Sequence, residues 1–370
     1  MLRACLLLLV LVPLGCATAL PPAPPATPGA VVEPAAPVEP PARAPGTAGV
    51  EHGRALIARG DMAGAATALR ETLRLQPELT AARVSLGLAL HALGDLDAAV
   101  EELRAALRRQ PDAIDARLML ARVLVARQDW AAAREELDRV VRAQPERVDA
   151  HYVLGVVRYA LGDGAGAIEA YRSVLALDPL QQDARYNLAL VLKLARREAE
   201  ATPEFITAAR AGHARAQYFA GAACAAGLGV ERNLPAAIDW WFRAAEQGVA
   251  QADDALAQLR QVALGRGRGG SAERQAAEQA FAEYRAALWR DFPDLPADGE
   301  ETLGGALLRQ GRAGEAVAML IREASALSEP AQRQLQTLYE QGVDGLPARD
   351  PRILSYMRGA AAEGLRPPIQ

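Results

Sequence analysis

The sequence predicts an all-α solenoid of stacked helix–turn–helix units, on three observations. Four prolines, Pro77, Pro111, Pro145 and Pro179, recur every 34 residues, as do four aspartates, Asp61, Asp95, Asp129 and Asp163, and four alanines, Ala65, Ala99, Ala133 and Ala167. Between these columns the apolar residues keep a helical spacing, as in residues 81–93 and 96–109, and no alternating strand pattern occurs anywhere in the chain. Composition agrees, because 51% of the 370 residues are hydrophobic but only 5% are aromatic, and much of the apolar total is alanine. Alanine brings little side-chain area to a broad core but lets helices pack closely, so thin layers of helix are expected.

Residues 1–16 read as an export signal, in which Arg3 precedes an apolar run from residue 6 to residue 14 that is too short to span a bilayer. The Leu14-Gly15-Cys16 junction resembles a bacterial lipobox, which implies cleavage before Cys16, lipidation of that cysteine and an anchor in a membrane. Pro13 departs from the lipobox pattern, and Ala17-Thr18-Ala19 offers a competing cut that would release a soluble protein. Ala17 after the cysteine is similar to the outer-membrane sorting pattern of Gram-negative lipoproteins, which implies an outer-membrane protein facing the periplasm. Residues 17–49 are dominated by Pro and Ala, with Glu33, Glu39 and Arg43 the only charges, and should form a disordered or polyproline-II tether.

Residues 50–197 hold the 34-residue units, each a helix, a tight turn and a second helix. The Asp column should cap the second helix of each unit, and the Pro column should stop it. These columns resemble the tetratricopeptide repeat. The family's Leu-Gly pair stands as Leu86-Gly87 and Leu154-Gly155 and, weakened, as Leu120-Ala121 and Leu188-Ala189. Its Ala-x-x-x-Phe column stands as Ala65/Leu69, Ala99/Leu103, Ala133/Leu137 and Ala167/Tyr171. The resemblance implies a right-handed superhelix whose first helices line a concave groove. Carried over, the groove positions are Val84, Leu88 and His91; Leu118, Arg122 and Val125; Tyr152, Val156 and Tyr159; and Tyr186, Leu190 and Lys193. Of the family's carboxylate-clamp residues only Asn187 has a counterpart, so an apolar helix or an extended peptide fits better than a free C-terminal carboxylate. Superhelical packing or the Pro-rich arm covering these side chains is the alternative reading.

Residues 198–264 change register. Ala216-Gln217-Tyr218-Phe219-Ala220-Gly221, then Gly227-Leu228-Gly229-Val230, then Trp240-Trp241-Phe242-Arg243-Ala244-Ala245-Glu246-Gln247-Gly248, resemble the Sel-one-like repeat, which has a longer glycine-rich turn. Gly227 and Gly229 should supply unusual φ values in that turn, and Asn233 should cap the helix after it. Cys224, among Ala222, Ala223, Ala225 and Ala226, reads as a buried structural thiol. Of Trp240 and Trp241, one should pack and one should face solvent. Residues 265–271 satisfy G-x-G-x-x-G in form, but a helix rather than a strand precedes them, so a Gly/Arg linker is expected instead of a dinucleotide loop. Residues 272–370 read as degenerate helical repeats, opening with an amphipathic helix that carries Ala277, Phe281, Tyr284 and Leu288 on one face.

A formal charge of −4, from 41 Lys+Arg and 45 Asp+Glu, gives no reason to expect nucleic acid as a partner. His52, His91, His151 and His213 are far apart and stand at no ligand spacing, so neither a metal nor another cofactor is expected. No nucleophile-elbow, Ser-x-x-Lys, His-Glu-x-x-His or Walker sequence occurs, and no catalytic residues are assigned. Acid pairs such as Glu101/Glu102 and Glu135/Glu136 read as solvated outer faces. The resemblance therefore implies a non-catalytic scaffold that assists an envelope machine such as exopolysaccharide export or pilus and secretin assembly. An adaptor for peptidoglycan-modifying enzymes is the alternative.

Overall fold

The computed structural model describes residues 45–295, 302–343 and 345–365; the export signal, Cys16 and all but the end of the Pro/Ala segment lie outside them. Among the described residues there are eighteen α-helices and no strand, with one isolated bridge between Val343 and Leu346. The chain forms two compact units, Met1–Pro179 and Leu180–Gln370.

The first unit holds α1 (Pro45–Ala58), α2 (Met62–Leu75), α3 (Thr80–Leu93), α4 (Leu96–Arg109), α5 (Ile114–Ala126), α6 (Trp130–Ala143), α7 (Val148–Ala160) and α8 (Gly164–Leu177). The second helices α2, α4, α6 and α8 each begin directly after a member of the Asp column. Asp61, Asp95 and Asp163 accept from the amides of Gly64, Ala98 and Gly166 at 2.8, 3.4 and 2.8 Å, satisfying an otherwise orphaned donor. Asp129 holds the same position without a cap bond, its carboxylate lying 3.6 Å from Arg127 instead. Each second helix ends two residues before the proline of its unit.

Close helix packing follows a small-against-large rule. A Cβ on Gly53, Gly87 or Gly155 would fall 2.6–2.7 Å from the side chain of Leu69, Leu103 or Tyr171, each sixteen residues on and fully buried. The glycines let the first helix of each pair settle against that large side chain. A second column lies in the turns, where Gly60, Gly94 and Gly162 take left-handed φ of 81°, 81° and 83°. Gln128 occupies the equivalent place with φ of 62°, a conformation costing a side-chain-bearing residue about 1 kcal/mol.

An ion-pair ladder repeats at the same period. Arg83 donates to Glu102 at 2.6 Å and to the carbonyl of Pro77 at 2.9 Å, and Arg117 donates to Glu136 at 2.5 Å and to the carbonyl of Pro111 at 2.6 Å. In the next unit the partners become His151 and Ala170; the ion pair is gone, but the imidazole still bonds the carbonyl of Pro145 at 2.8 Å. Glu102 and Glu136 are thus ties between first and second helices, while Glu101 and Glu135 remain exposed as the sequence suggests. With both side chains of the Arg117–Glu136 pair less than a fifth exposed, a double-mutant cycle at these residues should return a coupling of about 1–2 kcal/mol by urea denaturation. A coupling indistinguishable from zero would mark the pair as ornamental.

The second unit holds α9 (Gln182–Leu194), α10 (Glu198–Arg210), α11 (Ala214–Ala226), α12 (Leu234–Glu246), α13 (Ala250–Ala263), α14 (Ser271–Leu288), α15 (Leu303–Arg309), α16 (Ala313–Ser325), α17 (Glu329–Gln341) and α18 (Pro351–Ala362). The ladder continues as Arg185–Glu204 at 2.7 Å. The α11–α12 turn is long, as expected, with φ of 70° at Gly227 and 69° at Gly229. A Cβ on Gly229 would fall 2.4 Å from the carbonyl oxygen of Glu198, so the turn presses directly on the start of α10. Asn233 caps α12 by accepting from the amide of Ala236 at 2.9 Å. Trp241 is buried and donates to the carbonyl of Tyr218 at 3.2 Å, while Trp240 is half-exposed.

The Gly/Arg stretch is a hydrogen-bonded turn. The amides of Arg266 and Gly267 both donate to the carbonyl of Gln261, and Gly270 donates to Glu273 at 2.8 Å to open α14. Ala277, Phe281, Tyr284 and Leu288 are all buried along α14. The last helix pairs do not simply extend the array. Arg260 of α13, 6% exposed, makes a two-pronged bond to Glu363 at the end of α18 at 2.7 and 2.8 Å, and Arg266 reaches the carbonyl of Gly364 at 2.8 Å. The end of α18 therefore returns to α13. Beside it, Glu323 of α16 is buried and accepts from the amides of Leu303 and Gly304 at 2.8 and 3.1 Å, capping α15.

Candidate interaction surface

In the first unit the first helices α1, α3, α5 and α7 touch in succession and present one face. The fifth residue of α3, α5 and α7 is Val84, Leu118 and Tyr152, which places the leading groove positions in one register. Leu118 and Val125 are only 3% and 5% exposed, so they fill the space between helices and offer almost no surface. Val84, Leu88, His91, Arg122, Tyr152, Val156 and Tyr159 are half-buried and make the accessible part. Tyr152 sits edge-on to the buried Tyr171 with ring centres 6.0 Å apart, which fixes its plane from below.

Charge on this face is internally matched. Arg147 bonds Asp115 at 2.9 Å and Asp149 at 3.1 Å, and Arg122 donates to the other oxygen of Asp149 at 3.0 Å. Burial opposes the charge on Asp149, yet the bonds from Arg147 and the nearby Arg122 prevail and hold its carboxyl below its ordinary value. Burial and the Arg122 charge together push His91 below the ordinary imidazole range, so it is neutral at pH 7. The face is thus apolar and aromatic, and its sole arginine groove position is committed to a carboxylate.

The second unit carries Tyr186, Leu190 and Lys193 on α9. Tyr186 is 8% exposed because it is enclosed by rings: it stacks on His213 at 4.5 Å and lies 6.0 and 6.1 Å from Phe205 and Phe219. Tyr218 stands edge-on to Phe219 at 5.1 Å, and the exposed Lys193 ammonium lies 5.8 Å from the Phe219 ring centre. His213 itself caps α11, its Nδ1 accepting from the amide of Ala216 at 3.1 Å, which leaves the proton on Nε2, 3.4 Å from Asp183. That hydrogen bond lowers the Asp183 carboxyl below its usual value.

Tyr218 and Phe219 are absent from the sequence-derived groove set. The signal was present: Tyr152, Tyr186 and Tyr218 are each the fifth residue of their first helix, and the register passes into α11 although the spacing shortens. Cys224 is buried and its thiol is pushed up by desolvation, consistent with packing rather than reactivity. Among the described residues no group of three His, Cys, Asp or Glu side chains is placed to hold a metal ion.

A family model described as "Tetratricopeptide repeat" matches residues 50–114, 118–180 and 157–211. No curated protein matches in sequence. Similar solved structures include MamA of Desulfovibrio magneticus RS-1, 23% identical over 44% of this chain and 92% of that one, with a TM-score of 0.43. Two further MamA crystal structures are 25% and 24% identical, cover 45% and 47% of this chain and 97% and 94% of theirs, and have TM-scores of 0.42 and 0.43.

Proposed function

We propose, for a chain whose residues 50–211 carry tetratricopeptide repeats, a non-catalytic scaffold that binds protein partners along its first-helix face. The observation that supports this reading is the accessible row of Val84, Leu88, Tyr152, Val156 and Tyr159, apolar and aromatic with its charges already paired. Such a face suits an apolar helix or an extended peptide containing aromatic residues, because it offers area and ring faces but no clamp for a free carboxylate.

Residues 198–264 are assigned to Sel-one-like repeats on the strength of the glycine turn and the Trp-Trp-Phe run, with residues 272–370 continuing in degenerate form. The placement is at the outer membrane of a Gram-negative-type bacterium, facing the periplasm, anchored through a lipid on Cys16. The role is to help assemble an envelope machine for polysaccharide export or for pilus or secretin construction.

Two measurements test this. Cys16→Ser should shift the protein from the membrane to the soluble periplasmic fraction; unchanged fractionation removes the anchor. A photo-crosslinker in place of Tyr152 or Tyr159 should capture export or secretin components, and Val156→Asp should cut that capture about tenfold while melting stays near the parent's. Recovery of peptidoglycan synthases or hydrolases alone would move the assignment to an adaptor of those enzymes.

A further inference from the structure

The second unit differs from the first along one edge. Helix α10 packs against both α9 and α11, and α12 against both α11 and α13, so the antiparallel pairs put the first-to-second turns at one edge and the return turns at the other. The three edge turns, residues 195–197, 227–233 and 264–270, hold five arginines, Arg196, Arg197, Arg232, Arg266 and Arg268, against one acid, Glu231. The return turns, residues 211–213 and 247–249, hold no Lys, Arg, Asp or Glu. In the first unit the equivalent edge is acidic, with Asp61, Asp95, Asp129 and Asp163 against Arg59 and Arg127.

Local stability accounts for only part of this reversal. The pair that reads Gly-Asp at 60–61, 94–95 and 162–163 becomes Arg196-Arg197. Arg196 takes the left-handed φ of 60° that glycine accepts freely, and Arg197 occupies the start of α10, where an acid would cap and the helix dipole disfavours a cation. Glu200 neutralises Arg197 through bonds of 2.7 and 2.8 Å. Arg232 and Arg266 spend bonds on the neutral carbonyls of Ala225 and Gly364, which leaves their charge uncancelled, and Arg196 and Arg268 are exposed.

The same edge carries exposed leucines. Leu194 at the end of α9, Leu228 within the α11–α12 turn and Leu264 directly after α13 are 51%, 44% and 36% exposed. The acidic edge of the first unit exposes Leu93 and Leu161 to 49% and 39%, so what sets the second unit apart is leucine together with arginine. Leucine flanked by arginine is the chemistry of a surface that rests on anionic lipid, the aliphatic groups entering the headgroup boundary while the guanidinium groups meet phosphates. A soluble polyanion would use the arginines and leave the leucines idle. We infer that this edge of the second unit is a peripheral contact for an anionic membrane surface. It needs no lipid on Cys16, so it stands or falls separately from the anchor.

The test uses the chain without residues 1–16, which precede every described element, sedimented with phosphatidylglycerol or with phosphatidylcholine vesicles. Binding is expected to the first only, and to weaken as salt rises. The double variant R196G/R197D restores the pair used in the first unit, so it should melt no lower than the parent while anionic-vesicle binding falls about tenfold. L228S/L264S should also weaken vesicle binding while leaving any heparin binding unchanged. Equal binding to both vesicle types, no binding, or a leucine variant that binds vesicles as the parent does would overturn the inference. The last result would assign the edge to a soluble acidic partner.

Discussion

Replacing Tyr171 with alanine is expected to destabilise the first unit by about 3–5 kcal/mol, measured by urea denaturation with amide exchange reporting α7 and α8. The side chain is fully buried, it fills the space that Gly155 opens, and it supports the Tyr152 ring from beneath. Tyr171→Leu should be far milder, at about 1–2 kcal/mol, because Leu69, Leu103 and Leu137 do the same work at the equivalent positions. A Leu variant as damaged as the Ala variant would show that the ring, and not the filled volume, is what matters. Because Tyr152 leans on Tyr171, Tyr171→Leu should also weaken partner capture at Tyr152 at temperatures where the variant is still fully folded.

Glu323→Ala should cost the second unit about 2–3 kcal/mol, since it leaves the buried amides of Leu303 and Gly304 without an acceptor. Glu323→Gln keeps one acceptor oxygen and should lose about half as much. Desolvation raises the Glu323 carboxyl above its ordinary value, against the two amide bonds and the Arg285 charge that lower it. A raised carboxyl favours folding most where it is protonated, so its contribution is complete below the unfolded value and declines as pH rises through the folded one. The penalty of Glu323→Ala should accordingly be larger near pH 4 than near pH 8. The opposite trend would mean that the ionised form is the better held one.

Much of the first unit was legible because its determinants are local and repeat. Asp61, Asp95 and Asp163 cap where the period says they should, and Gly87 and Gly155 face Leu103 and Tyr171 because a fixed register brings them together. The glycine turn with Asn233 was readable for the same reason. The Arg–Glu ladder was present at the same 34-residue spacing, yet adjacent acids look alike in a sequence, and only the packing separates half-buried Glu102 from exposed Glu101. Burial also decided the surface. Leu118, Val125 and Tyr186 share the register of the accessible positions, but neighbouring helices and rings enclose them. Contacts such as Arg260 with Glu363 join residues 103 apart, and no local pattern announces them.

That last contact has a consequence for growth and loss. A stack of repeats is ordinarily indifferent to its length, since each unit leans only on its neighbours and one more can always be added or removed. Here Arg260 of α13 is held at the end of α18, so the six helices from α13 to α18 behave as a closed loop. Shortening the chain before Glu363 would not subtract one layer; it would strand a buried guanidinium several helices upstream and loosen α13. The second unit therefore has a length written into it, while the ion pairs described in the first unit join neighbouring helices or adjacent repeats.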